Sequence, residues 1–430
     1  MRERGVGVAE QPSRSDAALE RHHVRLRHWR VTYAALILAA AVALVVIVKI
    51  AYSHGELSHA TLRTVDPAPP SVTLQAPRST LGEAWSTADR TAIGQPYWGG
   101  TVVTHDKRSV RGRDALTGAI TWIYTRTDRT ICQAIQDQGI TIGVYELNGN
   151  CDQLTALDTE TGQRKWSRTL DKDGAELNGH PRYAVVPDTV MLTTPSAIYA
   201  LDPTGGLDRW VFREHGCTVR RAVLGVNGAL ISQTCSHRDC AGARFCGNGA
   251  QLLLRDGSAG ENSDSSKNNR NPDQIKWNLI GSDLIPASAG QAIAALSANG
   301  AQLIVLGDKL GTAQHRLPLV GRSTTITTSA AADADLLRIG ARTYALANST
   351  FSWQTATSGL PTVTDRSGVG TPSLSSALLA APTTAGIATL DPGSGTVRRS
   401  FAVGAPALGS RIYPFGTGFL VTGTQTRYYR

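Results

Sequence analysis

Two patterns of apolar and polar positions divide the chain. From Tyr33 to Val48 the residues YAALILAAAVALVVIV are apolar without a break, and the wider stretch from Val31 to Tyr52 is interrupted only by Thr32 and Lys49. Beyond about residue 81 short runs such as LTALD, IYALD, RKWSRTL and DRWVFRE alternate apolar and polar side chains, the period-two pattern of half-buried strands. The first pattern predicts one helix. The second predicts a long all-β region.

Sixteen apolar residues in a helix span about 24 Å, and the Lys49 stem can carry its ammonium to the far interface of a core roughly 30 Å thick. A transmembrane helix is therefore expected over residues 31–52. Arg21, Arg25, Arg27 and Arg30 precede it, whereas the fifteen residues after Tyr52 hold one arginine, Arg63. The positive-inside rule then puts residues 1–30, a basic tail, in the cytoplasm and everything after the helix outside. A cleaved signal peptide is the competing reading. It fits less well, because thirty residues precede the apolar run and YSHGELSHA offers no good small-x-small site. Residues 53–80, with Pro67, Pro69, Pro70 and Pro77, read as a semi-extended linker before a domain spanning 81–430.

That domain repeats itself. Asp114-ALTGAIT-Trp122, Asp158-TETGQRK-Trp166 and Asp202-PTGGLDR-Trp210 align without gaps, each tryptophan 44 residues after the last. A period of about 40–45 residues built from short strands is that of a four-stranded propeller blade. Within each unit Asp can accept amides two residues on, and Gly118, Gly162 and Gly206 supply the positive φ of a tight hairpin. Each Trp then falls on the outermost strand, where a flat ring can pack against the next blade. Weaker copies follow: LLLRDG leading to Trp277, LIVLGDKLGTAQHRL with His315 in the Trp place, TYALANSTFSWQT with Trp353, and IATLDPGSGTVRRSF with Arg399. The polar run SAGENSDSSKNNRNPDQ lengthens the interval before Trp277 and reads as a mobile loop. Three strands remain after the seventh hairpin, and LGEAWSTAD presents Trp85 on a strand without a blade of its own. Together they predict an eighth blade, closed by the N-terminal strand, which removes the exposed edges of an open sheet.

Forty-three glycines and nineteen prolines suit such a turn-rich fold. The formal net charge of +9 is spread along the chain rather than gathered in Lys/Arg runs with aromatics between them, which argues against nucleic acid. All six cysteines follow the apolar run, in the compartment where disulfides persist. Cys132 and Cys217 open the second and fourth blades and are followed by Cys151 and Cys235 in what look like equivalent places, which predicts bridges Cys132–Cys151 and Cys217–Cys235. Cys240–Cys246 would close the remaining loop, although six cysteines permit fifteen connectivities. Cys235, Cys240, Cys246 and His237 also admit a metal reading, without the paired C-x2-C hooks of structural zinc.

The pattern A-x-D-x-x-T-G-x-x-x-W, met by Ala156, Asp158, Thr161, Gly162 and Trp166, resembles the repeat of pyrroloquinoline-quinone-dependent dehydrogenases and their non-enzymatic relatives. That superfamily, which also supplies the propeller lipoprotein of the outer-membrane barrel-assembly machine, implies the eight-bladed fold over residues 81–430 but leaves the chemistry open. Its enzymes use adjacent cysteines, a stacking Trp and a calcium site. This chain has no vicinal Cys pair and no C-x-x-C-H haem attachment, and it lacks G-x-S-x-G, H-E-x-x-H and P-loop motifs. The expectation is thus a non-catalytic, membrane-anchored propeller without a cofactor, holding an envelope protein or wall polymer. The alternatives are a quinone-dependent dehydrogenase and an envelope sensor signalling through the basic tail. If the ring axis forms a site, His180, Arg182, Arg220 and Arg221 on or near inner strands can line it.

Overall fold

The computed structural model describes residues 33, 36–45, 49, 56–147, 149–170, 181–213, 216–236, 248–257, 275–330, 333–347, 350–364 and 378–430. They fall into two compact units, residues 1–60 and 61–430. In the first, residues 36–45 are helical, and Leu36, Ile37, Leu38, Val42, Leu44 and Val45 are each more than half exposed. Among the described residues no helix is long and apolar enough to cross a membrane. The remainder of the span expected over residues 31–52 lies mostly outside the described residues, as do the basic tail and the insertion before Trp277.

The second unit is an eight-bladed propeller. Blade 3 shows the plan: Arg182–Val186, Thr189–Thr193, Ile198–Leu201 and Asp208–Phe212 pair antiparallel in chain order, the first strand innermost and the last outermost. Blade 2 (from Thr130–Asp137 to Arg164–Thr169), blade 4 (Cys217–Gly225 to Ile275–Ile280), blade 5 (Ile285–Ala289 to Ala313–Pro318), blade 6 (Ile326–Ala330 to Thr350–Ala356) and blade 7 (Thr362–Thr364 to Val397–Phe401) follow it. Blade 1 is built on Thr101–His105, Ser109–Asp114 and Ile120–Arg126. Blade 8 joins Arg411–Phe415, Gly418–Thr422 and Thr426–Tyr429 to the strand Glu83–Thr87, which carries Trp85. The ring is therefore closed by pairing a strand from the start of the domain with the last strand of the chain.

Apolar side chains fill the spaces between blades. Ile142 and Leu154 of blade 2 meet Leu192 and Tyr199 of blade 3, and Leu336 and Ala345 of blade 6 meet Leu379 and Ala388 of blade 7. The repeated hairpin locks these layers. Asp158 Oδ1 accepts the Thr161 amide at 3.0 Å and its hydroxyl at 2.9 Å, and Gly162 completes the turn at a φ of +76°. Trp122 of the preceding blade lies flat on that glycine and donates its Nε1–H to the Thr159 carbonyl at 2.8 Å. The same bond recurs from Trp85 to Ala115, Trp166 to Pro203, Trp277 to Asp308 and Trp353 to Pro392. Each indole thus reads the next blade's turn through packing and one hydrogen bond. Trp210 differs: Arg255 of blade 4 lies over its ring at 4.1 Å, and its Nε1 has no partner among the described residues.

The segment from residue 61 to 81 is bonded to the ring and does not stand free of it. The strand Ala60–Arg63 pairs with Ile120–Arg126 of blade 1. Then Val65 N–H donates to Thr161, Val72 to Gly99, Gln75 to Gly416 and Arg78 to Thr417. This strap runs over the end of the ring where the inner strands finish, because Gly416 turns blade 8 from its first strand to its second.

The structure holds the bridges Cys132–Cys151 and Cys217–Cys235. Their places are not equivalent, contrary to the sequence reading. Cys217 and Cys235 face each other across the first two strands of blade 4. Cys132 sits at a bulge in the inner strand of blade 2, and Cys151 lies on the third strand, reached past the irregular end of the second. Cys240 and Cys246 lie outside the described residues.

Candidate functional site

The end of the ring where the inner strands begin gathers arginine. Arg182 is the first residue of the inner strand of blade 3, and Arg220 and Arg221 stand at a bulge in that of blade 4. The bulge puts two successive residues where a regular ladder would put one, so both guanidinium groups are carried at one level. Arg182 Nη1 donates to the Arg220 carbonyl at 2.9 Å. Arg220 pairs with Asp283, just ahead of the inner strand of blade 5, at 2.5 Å. Arg221 reaches farthest: its Nη2 donates to the carbonyl of Ile326 at 3.1 Å, the first residue of the inner strand of blade 6. Its Nε is buried without a hydrogen-bond partner among the described residues. Burial, and then the charge of Arg182, pulls the Arg221 guanidinium below its ordinary range. Three of the four residues expected near the axis are thus brought together, and His180 lies outside the described residues.

Other buried polar groups serve the scaffold. Asp335 of blade 6 accepts Ser288 Oγ at 2.9 Å and the amides of Ala292 at 2.7 Å and Gln291 at 3.1 Å, tying down the first hairpin of blade 5. Burial pushes its carboxyl up even so. Arg126, 2 % exposed, forks onto Asp128 at 2.9 and 2.8 Å. Sequence alone did not single out Asp335, Arg126 or Asp137, since nothing in their local pattern marks a carboxylate or guanidinium destined for the interior. A cleft of about 370 Å³ lies beneath the strap, lined by Pro70, Val72, Leu116, Gly416 and Tyr428. It is at the opposite end of the ring from the arginines.

Quinone chemistry of the kind the repeat suggests needs a calcium donor set. Among the described residues no three His, Cys, Asp or Glu side chains converge. The four described cysteines staple strands and are not neighbours in the chain. What the arginine end can do is bind: it offers fixed N–H donors and positive charge.

Residues 78–212, which take in Trp85 and the first three blades, match the PQQ_2 family model, described as outer membrane protein assembly factor BamB. Comparison with curated proteins finds no match. Among solved structures, the computationally designed Ika8 protein is 11 % identical over 81 % of this chain and 98 % of its own, with a TM-score of 0.50. BamB from Moraxella catarrhalis is 16 % identical over 86 % of this chain and 99 % of its own, with a TM-score of 0.37. The quinohemoprotein alcohol dehydrogenase ADHIIG from Pseudomonas putida HK5 is 13 % identical over 81 % and 76 %, with a TM-score of 0.46. The repeat is of the PQQ type, on an eight-bladed ring.

Proposed function

We propose that this chain is a non-catalytic interaction platform of a bacterial-type cell envelope, anchored through its apolar segment and holding an envelope protein or wall polymer on its propeller. The observation that carries the reading is the arginine end: Arg182, Arg220 and Arg221, fixed by main-chain carbonyls and one carboxylate on a rigid ring, present binding groups rather than a proton-transfer pair. The family model that residues 78–212 match, described as an envelope assembly factor, supports the location, as do two disulfides, which persist in oxidising compartments.

Anchoring is supported by the exposed leucine, isoleucine and valine side chains of residues 36–45, which a bilayer would cover, and by the apolar run of residues 31–52 around them. The rigid ring supplies the scaffold and its loops the contact surface, the usual division of labour in such folds. Photo-cross-linking in cells, with the reactive residue placed at position 218 beside the arginines, should capture one discrete adduct that is lost in a triple Arg→Gln variant. Repeated trials that yield no adduct above an untagged control would overturn the platform.

A further inference from the structure

We propose that the arginine end of the ring holds one phosphate group between Arg182 and Arg221. The inference deepens the platform reading and rests on it for the identity of the partner. Its basis is a charge imbalance in fixed geometry. Arg220 is neutralised by Asp283 at 2.5 Å. Arg182 and Arg221 have no carboxylate within ion-pair distance among the described residues; each is held by a main-chain carbonyl, at 2.9 and 3.1 Å. A carbonyl orients a guanidinium but supplies no counter-charge, so two like charges stay uncompensated, and Arg221 feels the charge of Arg182.

They reach toward different blades. Arg182 extends from blade 3 onto blade 4, and Arg221 from blade 4 onto blade 6, two blades on. The two groups therefore approach from different strands and can contact different oxygens of one ligand. The buried Nε of Arg221 has no acceptor among the described residues. Leaving a charged donor desolvated and unpaired is costly, and an oxyanion at that point supplies the missing acceptor and the missing charge together. A phosphate carries about −1.5 to −2 charge near neutrality with three acceptor oxygens, which matches two uncompensated guanidinium groups better than a planar, singly charged carboxylate does. The phosphate can be the free ion or a terminal monoester of a larger molecule; both present three acceptor oxygens.

The test uses the purified full chain in detergent, at fixed ionic strength, with phosphate binding followed by calorimetry and thermal unfolding. Inorganic phosphate should bind saturably at one site, raise the midpoint of unfolding, and compete with itself but not with chloride. Arg221→Gln and Arg182→Gln should each weaken binding at least tenfold, whereas Arg398→Gln, on the outer strand of blade 7 and paired with Asp391, should change it less than threefold. Arg182→Lys, keeping charge at an exposed position, guards against a misfolded variant and should retain part of the affinity. Glycerol 3-phosphate binding tighter than inorganic phosphate would assign the site to a phosphomonoester; equal affinities would assign it to the free ion. Acetate binding as well as phosphate, or equal phosphate affinity in wild type and Arg221→Gln, would overturn the proposal. Cross-linking that fails while phosphate binds would sink the platform and leave the site standing, and the converse result would do the opposite.

Discussion

Asp137 shows how a single residue couples this ring to pH. It ends the inner strand of blade 2, is 6 % exposed, and accepts the amide of Asp188 at 3.0 Å, where blade 3 turns at a φ of +65°. Burial pushes its carboxyl from an ordinary 3.8 up to about 7, against the opposing pull of the Asp188 amide. With the folded value above the unfolded one, its stabilising effect is complete below about 3.8 and is lost as pH rises through about 7. Asp137→Asn should therefore flatten the fall in melting temperature between pH 5 and pH 8, and be more stable than wild type at pH 8. Thermal unfolding across that range decides it, and parallel pH profiles for the two proteins would refute the assignment. The contrast with Asp158 is instructive. Asp158 could be recognised from the chain because T-G follows it at the turn spacing, and hydrogen bonds from Thr161 hold its carboxyl down despite part-burial. Asp137 is followed by Q-G, an equally ordinary turn, and only a neighbouring blade decides that its carboxylate is desolvated.

At the scale of elements, the outer hairpins were legible and the strap was not. In every blade from 1 to 7 the pairing of the third and fourth strands shifts at one place, skipping the residue just before the Trp position. Gly112 faces Trp122 before the shift, Ala156 faces Trp166 and Ala345 faces Trp353. Val305 with His315 and Thr389 with Arg399 occupy the same register, so the weaker copies were aligned correctly from sequence. A small residue opposite the indole makes room for it: a Cβ on Gly112 would meet Trp122 Nε1 at 2.0 Å. The strap carries no such signature, since prolines and polar residues between two patterned regions suit a free linker equally well. What holds it are isolated amides and close backbone approaches. Gly100 allows one of them, as a Cβ there would lie 2.2 Å from the Pro70 carbonyl oxygen. Gly100→Val should lift the strap while sparing the blades. Limited proteolysis should then cut between residues 61 and 80 at least tenfold faster with little change in the melting temperature, and unchanged cleavage would show that the strap does not depend on that contact.

For the whole molecule, blade number and the closing pair could be counted from sequence, because Trp85 lacked a blade and the last three strands lacked an outer one. The meeting of Arg221 with Ile326, 105 residues apart, could not, since it depends on how tightly the ring draws its inner strands together. Closure rests on a narrow seam: Gly82 and Arg430 exchange both amide–carbonyl bonds at 3.0 Å, and Thr91 Oγ1 lies 2.6 Å from Thr426 Oγ1. Removing residues 426–430 should open blade 8, lower the melting temperature by more than ten degrees and promote aggregation through the bared edges, as judged by calorimetry and light scattering. A truncated chain that melts as cooperatively and as high as the intact one would show that seven blades suffice.

The seam also sets an order of events during synthesis. Thr91 and Thr426 are separated by 335 residues, so the strand made first must wait unpaired while nearly all the rest of the ring emerges. A nascent chain thus carries an open sheet edge until residues 426–430 arrive, and any pause in the last blade prolongs the interval in which a holding factor would be needed.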